Sequence, residues 1–259
     1  MLARLALALS LLLSVCGVAR ARGPLVVIDP GHGGTNTGAW GPTANRHEKR
    51  VTLAIAKRLQ RALRKQRPDL RVALTRRDDH YVSLQSRVRR ANQLGADAFI
   101  SIHLNASPTR AQHGFETFVL SSQATNREAL RTASRENERQ LARGASAPGA
   151  DAAAILADIA QRGVRRASLS LAQRVQQQLS KARRAAPGRG VRQAPFDVLM
   201  GLTMPGVLVE VGFIDHPSEG PELLRPAVQR RIAEALARGI IAYLASAQSH
   251  SSAGGVARR

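Results

Sequence analysis

The chain has 259 residues, 44% of them hydrophobic, with 21 glycines and a single cysteine, which is material for one globular domain and excludes a collagen-like or wholly disordered protein. Lys and Arg number 39 against 18 Asp and Glu, a formal charge of +21, and all but four of the 39 are Arg. Such a field attracts nucleic acid, an anionic membrane or an anionic polymer such as a cell wall, although a compositional bias toward Arg would produce it with no partner at all. Aromatic residues are only 3% and none interleaves with the basic stretches, so the stacking platforms of single-strand binders are absent and no nucleic-acid partner is expected.

Residues 1–21 carry Arg4, an apolar run over 5–15 and the small-x-small sequence Ala19-Arg20-Ala21, which reads as a signal peptide cleaved after Ala21. The run is too short to span a bilayer comfortably. The expected location is therefore periplasmic or secreted. Cys16 lies in Leu13-Ser14-Val15-Cys16-Gly17, which resembles a lipoprotein box apart from the bulky Val15; a membrane partner is expected only if Cys16 is lipidated. With cleavage after Ala21 the mature chain lacks cysteine, which excludes disulfides and thiolate metal sites.

From there the predicted elements alternate. Residues 25–29 (LVVID) form a buried strand ending in a glycine-rich loop. Asn45 and Glu48 have capping-box spacing, and Val51, Ile55, Leu59 and Leu63 continue a helix to Pro68. A strand at 70–75, a short helix through Leu84, Val88 and Ala91, and a buried strand at 98–103 follow, with a candidate edge strand at 114–120. Residues 122–163 read as a helical insertion, 152–186 as a helical region broken near Gly163, and 186–190 as a basic loop. Strands at 196–199 and 207–211 precede a closing helix over 222–247, and 248–259 read as a disordered tail. The alternation is that of an α/β fold: a single three-layer domain over 22–247, with a mostly parallel central sheet flanked by helices.

Three side chains fall where such sheets bind ligands, at the carboxyl ends of their strands. His32 sits in Asp29-Pro30-Gly31-His32-Gly33-Gly34, Glu48 opens the next helix, and His103 ends a second strand. Two imidazoles and a carboxylate are the His₂Glu set of catalytic zinc sites, which keep a fourth position for water. Glu210 is the one carboxylate in the apolar run Val207-Leu208-Val209-Glu210-Val211 and would serve as a general base. Each residue alone has a plainer explanation: a capping acid at Glu48, a loop imidazole at His32, a core imidazole at His103, an Arg-paired acid at Glu210. The sequence GHGGTNTG lacks the Gly-Lys-Ser/Thr of a phosphate loop, and a His-rich set does not suit glycosidase chemistry, which needs two carboxylates.

The runs VVIDPGHGG, RRDDHYVSLQSRVRRAN, ADAFISIHLNA, GFETFVL and PGVLVEVGFIDHPSE, with Glu48 at a helix start, resemble in order the zinc-dependent N-acetylmuramoyl-L-alanine amidases of phosphorylase/hydrolase-like fold. The resemblance implies Zn²⁺ held by His32, Glu48 and His103, a catalytic Glu210, and hydrolysis of the amide between N-acetylmuramic acid and L-alanine in a peptidoglycan substrate. A catalytically silent peptidoglycan-binding or amidase-regulating protein of the same fold is the alternative. Where the family often has Phe-Ile-Ser-Asn, this chain has Phe213-Ile214-Asp215-His216, so His216 is an extra imidazole, expected behind the ligands rather than among them. Asn105 and Glu116 are further candidates for touching substrate or supporting the ligands. Some periplasmic members of the family hold a helix over the zinc until an activator protein displaces it. Here the insertion offers Glu128, Glu136, Glu138, Asp151 and Asp158 for the open metal position, while its arginines fit an ordinary exposed helix equally well.

Overall fold

The computed structural model describes residues 23–41, 47–137 and 152–254. The signal peptide, Cys16, Asn45, Glu138 and Asp151 lie outside the described residues, as does the side chain of Asp158. Six strands, β1 (Leu25–Pro30), β2 (Arg71–Leu74), β3 (Ala98–Asn105), β4 (Phe115–Leu120), β5 (Gly188–Ala194) and β6 (Gly206–Phe213), form one sheet in the order β2-β1-β3-β6-β4-β5. All neighbours are parallel except β4 and β6.

Side-chain alternation along the strands builds two cores. Val26, Ile28, Ile100, Ile102, Val207 and Val209 face α1 (Glu48–Gln66), α4 (Ala152–Ala182) and α6 (Pro226–Gly254). Val27, Phe99, Phe118 and Leu208 face α2 (Leu84–Gln93), α3 (Arg127–Glu136) and the turn Asp197–Leu199. This is the expected three-layer α/β arrangement with a mostly parallel sheet. Among the described residues no helix is long and apolar enough to cross a membrane.

Local readings change in four places. The helix α1 starts at Glu48 with His47 at its N-cap, so Glu48 occupies the first helical position and its side chain is free for other work than a capping box. Gly163 does not break α4, which runs through it, because a helical glycine costs only about 1 kcal/mol and tertiary packing outweighs that. The basic stretch from Gly188 is the edge strand β5, whose half-buried polar residues hide the strand pattern, whereas Phe196, Val198 and Leu199 bury themselves from a 3₁₀ turn. The closing helix is preceded by the short α5 (Glu219–Leu223), and α6 continues past Gln248 to Gly254.

A buried polar knot ties the loop after β1 to the rest. The carboxylate of Asp29 accepts from Thr75 Oγ1, from Arg87 Nη1 at 2.6 Å and from Ser101 Oγ at 2.7 Å. Burial pushes the Asp29 carboxyl up, but Arg87 and these donors bring it below its ordinary value. Arg87 also donates to the carbonyls of Pro30 and His32, and Arg76 donates to those of Pro30, Gly31 and Lys49. Arg87→Met should therefore destabilise the protein by about 3–5 kcal/mol, the scale for leaving a buried charge unpaired. A urea-unfolding midpoint equal to that of the unmodified chain would show that the knot does not hold the fold.

Candidate active site

The sheet delivers three side chains in a row. His103 pairs with Glu210 across β3 and β6, and Glu210 pairs with Glu116 across β6 and β4. Because each has neighbours in the chain that face the α1 side, all three project toward the α3 side. His32 joins them from the loop after β1 in a left-handed backbone conformation, φ 58°, which is uncommon for a residue with a Cβ. Gly31 must be glycine, since a Cβ there would stand 2.4 Å from the His103 ring. The same holds at Gly38, with φ 66°, where a Cβ would lie 2.5 Å from His32 and 2.6 Å from a Glu48 oxygen.

Glu48, fully buried, reaches over the edge from the first turn of α1. Its Oε2 lies 3.0 Å from His32 Nε2 and accepts from Ala39 N; its Oε1 lies 3.1 Å from His103 Nδ1 and accepts from Leu104 N. A fourth group completes the cluster: Glu136 Oε2, from the last residue of α3, is 3.1 Å from His32 Nε2 and 2.8 Å from His103 Nδ1. One ligand atom from each of His32, Glu48, His103 and Glu136 lies within 4.8 Å of the others, all four residues being buried, so the group could hold a metal ion.

The donor chemistry fits a cation. His32 Nδ1 faces Asn36 Oδ1 at 3.0 Å, and because that oxygen also accepts from Gly38 N, the ring donates from Nδ1 and turns Nε2 toward the cluster. Both oxygens of Glu210 are buried without a hydrogen-bond partner, Arg135 standing 3.7 Å from Oε1.

Charge coupling in the cluster is strong. Burial pushes His103 down, but Glu136 and Glu48 reverse this and raise it to about 9; His32 is likewise raised well above its ordinary value, chiefly by Glu48 once burial is overcome. Burial raises Glu48, and the charge of His32 together with the bonds to His103 and His32 more than offsets that, leaving it at about 2. Glu136 is held well below its ordinary value by His103 despite burial. Glu210 is pushed well up by burial and by the neighbouring Glu136 carboxylate, with Arg135 opposing.

The sequence had offered five acids of the insertion for this place, and nothing in their spacing singled out Glu136. Of the two acids on α3 the helix selects one: Ala129, Thr132, Ala133 and Glu136 are its buried face, and Glu136 is the member of that face lying over His32 and His103. Arg135, not among the sequence candidates, donates to Glu136, to Ala106 O and to Asn105 Oδ1, and lies 3.7 Å from Glu210 Oε1. Asn105 in turn donates to Glu116 at 2.7 Å. His216 stays out of the cluster. Its Nδ1 accepts from Ser218 N and Glu219 N at the start of α5. His80 is exposed and pairs with Asp78, and His47 packs edge-on against Trp40.

Residues 26–242 match the family model described as N-acetylmuramoyl-L-alanine amidase. The chain belongs to that family. It is 36% identical over 222 residues to N-acetylmuramoyl-L-alanine amidase AmiA of Escherichia coli, covering 85% of this chain and 75% of that one. Against AmiC of E. coli it is 35% identical over 228 residues, 87% of this chain and 54% of the relative. A solved N-acetylmuramoyl-L-alanine amidase from Clostridium difficile superposes with a TM-score of 0.67 at 32% identity, over 87% of this chain and 99% of that one. The CwlD amidase of Clostridioides difficile, solved in complex with the GerS lipoprotein, shares the fold at 23% identity and TM-score 0.65, over 86% of this chain and 99% of that one. The activity expected from the sequence, hydrolysis by an amidase of this class, is that of the family.

The raised imidazoles set a pH dependence. In the metal-free chain, His103 at about 9 binds a proton that the unfolded chain, with His near 6.5, releases between those values. The stabilisation is complete below pH ~6.5 and is lost as pH rises toward 9, because the native state then holds more protons than the unfolded one. The melting temperature of the metal-free chain should fall across that window, and a flat profile would contradict the imidazolium–carboxylate pairing.

Proposed function

We propose that the chain hydrolyses the amide between N-acetylmuramic acid and L-alanine in peptidoglycan, outside the cytoplasm, with zinc held by His32, Glu48 and His103 and with Glu210 as the general base. The observation that carries this reading is the convergence of two imidazoles, Glu48 and a buried Glu210, whose carboxylate oxygens accept no hydrogen bond, on one sheet edge of an amidase-family fold. Zinc, when bound, supplies Lewis acidity to the scissile carbonyl and the attacking water. His32 and His103 would each offer a ring nitrogen for it on giving up a proton, and Glu48 a carboxylate braced by Ala39 N and Leu104 N. Glu210 takes the proton from water as its oxygen bonds to the carbonyl carbon, then gives that proton to the alanine nitrogen as the carbon–nitrogen bond breaks. The products are a free carboxylate on the lactyl side and a free amine on the peptide.

The same geometry supports reading α3 as a lid in the down position. Catalytic zinc sites keep one position open, whereas four protein ligands close a site, and Glu136 supplies the fourth. Access then requires lifting α3, a task for an activator protein. That a structure of CwlD was solved with a lipoprotein bound supports protein partners for amidases of this fold. The apolar segment over 5–15 supports export.

His32→Ala or His103→Ala should lose zinc, measured as metal per chain after dialysis. Glu210→Gln should keep zinc and lose turnover by roughly 10²–10⁴-fold, the scale of general acid–base assistance; near-normal release of stem peptides from purified sacculi would remove Glu210 from that role. In the lid reading, Glu136→Ala should keep zinc and hydrolyse sacculi faster than the unmodified chain with no partner added. A zinc-loaded variant no faster than the parent would count against it.

A further inference from the structure

The lid is held at a second place, remote from the metal ligands. Glu128, in the first turn of α3, forms ion pairs with Arg189 and with Arg192 Nη1, the latter at 3.6 Å. Both arginines stand on β5, two strands from Glu210, and both also face the buried Glu116, Arg192 Nε at 2.8 Å and Arg189 Nε at 3.4 Å. The guanidinium of Arg189 lies over the ring of Phe213, at 5.2 Å, beside the last residue of the Glu210 strand. With α3 down, two guanidinium groups meet two carboxylates. With α3 lifted, Glu116 remains, bonded to Asn105 and facing both guanidinium groups, and Arg189 and Arg192 lose their second carboxylate, the one on the lid.

We propose that Arg189 and Arg192 form the subsite for a free carboxylate on the stem peptide of the substrate, a place that Glu128 of α3 fills while the lid is down. The inference rests on the lid reading above. Two strand spacings put the pair about 10 Å from the base, and an extended peptide covers about 7 Å in two residues. A long Arg side chain spans the remainder, so the matching group is a carboxylate on the residue after the alanine. The planar fork of a guanidinium suits a carboxylate better than the uncharged amide of the same shape, which gives the site a selectivity to measure.

The test uses the zinc-loaded full chain carrying Glu128→Gln and Glu136→Ala, which free both places that α3 occupies, and Glu210→Gln, which removes turnover so that affinity is read at equilibrium. The probes are N-acetylmuramoyl-L-alanyl-glutamate with its α-carboxyl free and the same compound as the α-carboxamide, titrated calorimetrically. The free acid should bind roughly tenfold more tightly, the worth of one charge-assisted hydrogen bond. Adding Arg189→Gln should bring the ratio close to one while zinc content and melting temperature hold, since Arg192 still neutralises Glu116. Should that variant fail to fold, Arg189→Lys, which keeps the charge and loses the fork, should give an intermediate ratio. In the chain with Glu210→Gln alone, Glu128 competes and the ratio should shrink. Equal binding of the two probes, no binding of either, or a ratio that Arg189→Gln or Arg189→Lys leaves unchanged overturns the subsite. Failure of the lid reading is separate: it is read from turnover of Glu136→Ala, and an occluding lid is not needed for the affinity ratio to be measured.

Discussion

The site depends on the grip of two buried guanidinium groups on the loop that follows β1. His32 has a positive φ, a conformation that costs a residue with a Cβ of order 1 kcal/mol and persists only where surrounding bonds impose it. Arg87 and Arg76 impose it by donating to the consecutive carbonyls of Pro30, Gly31 and His32, with Asp29 neutralising Arg87 from beneath. These are charge-assisted bonds in a dry interior, where they are strongest and where an unmet carbonyl is most expensive. The imidazole is thus aimed at the cluster by the backbone alone.

Around that fixed ring the remaining groups come from rigid elements. His103 and Glu210 are held by sheet register, which leaves no freedom to slide, and Glu48 is held by the first turn of a helix whose backbone cannot satisfy its own leading N–H groups. Only Glu136 comes from an element outside the sheet and the helices α1, α4 and α6 that pack against its other face. Its helix is short, and four of its ten residues are buried. Displacing such an element exposes little apolar surface compared with moving a strand.

The large Arg excess divides into different physical roles. Arg76 and Arg87 are almost wholly buried and act as backbone braces, and Arg183, also buried, pairs with Glu219, whose carboxylate receives Gly114 N and Phe213 N. Arg135, Arg189 and Arg192 lie where α3 meets the sheet. A compositional bias would supply arginines without placing them. The structure shows several placed where a lysine, with no planar fork, could not make the same set of bonds.

By itself the sequence determined the α/β class and four of the groups that gather at one sheet edge: His32, Glu48, His103 and Glu210. Strand periodicity and the glycine loop are local signals, and a lone polar residue at the end of an apolar run stands out without any knowledge of its neighbours. Tertiary structure decided what depends on pairs far apart in the chain. The bracing of His32 by Arg76 and Arg87 joins residues some fifty positions apart, and the edge strand β5 is recognisable only once β4 lies beside it. That Glu136 rather than Glu128 meets the cluster was fixed by which face of α3 met the sheet, a matter of packing rather than of pattern, since an Arg/Glu-rich helix carries charges on every face and its sequence does not say which of them will be buried.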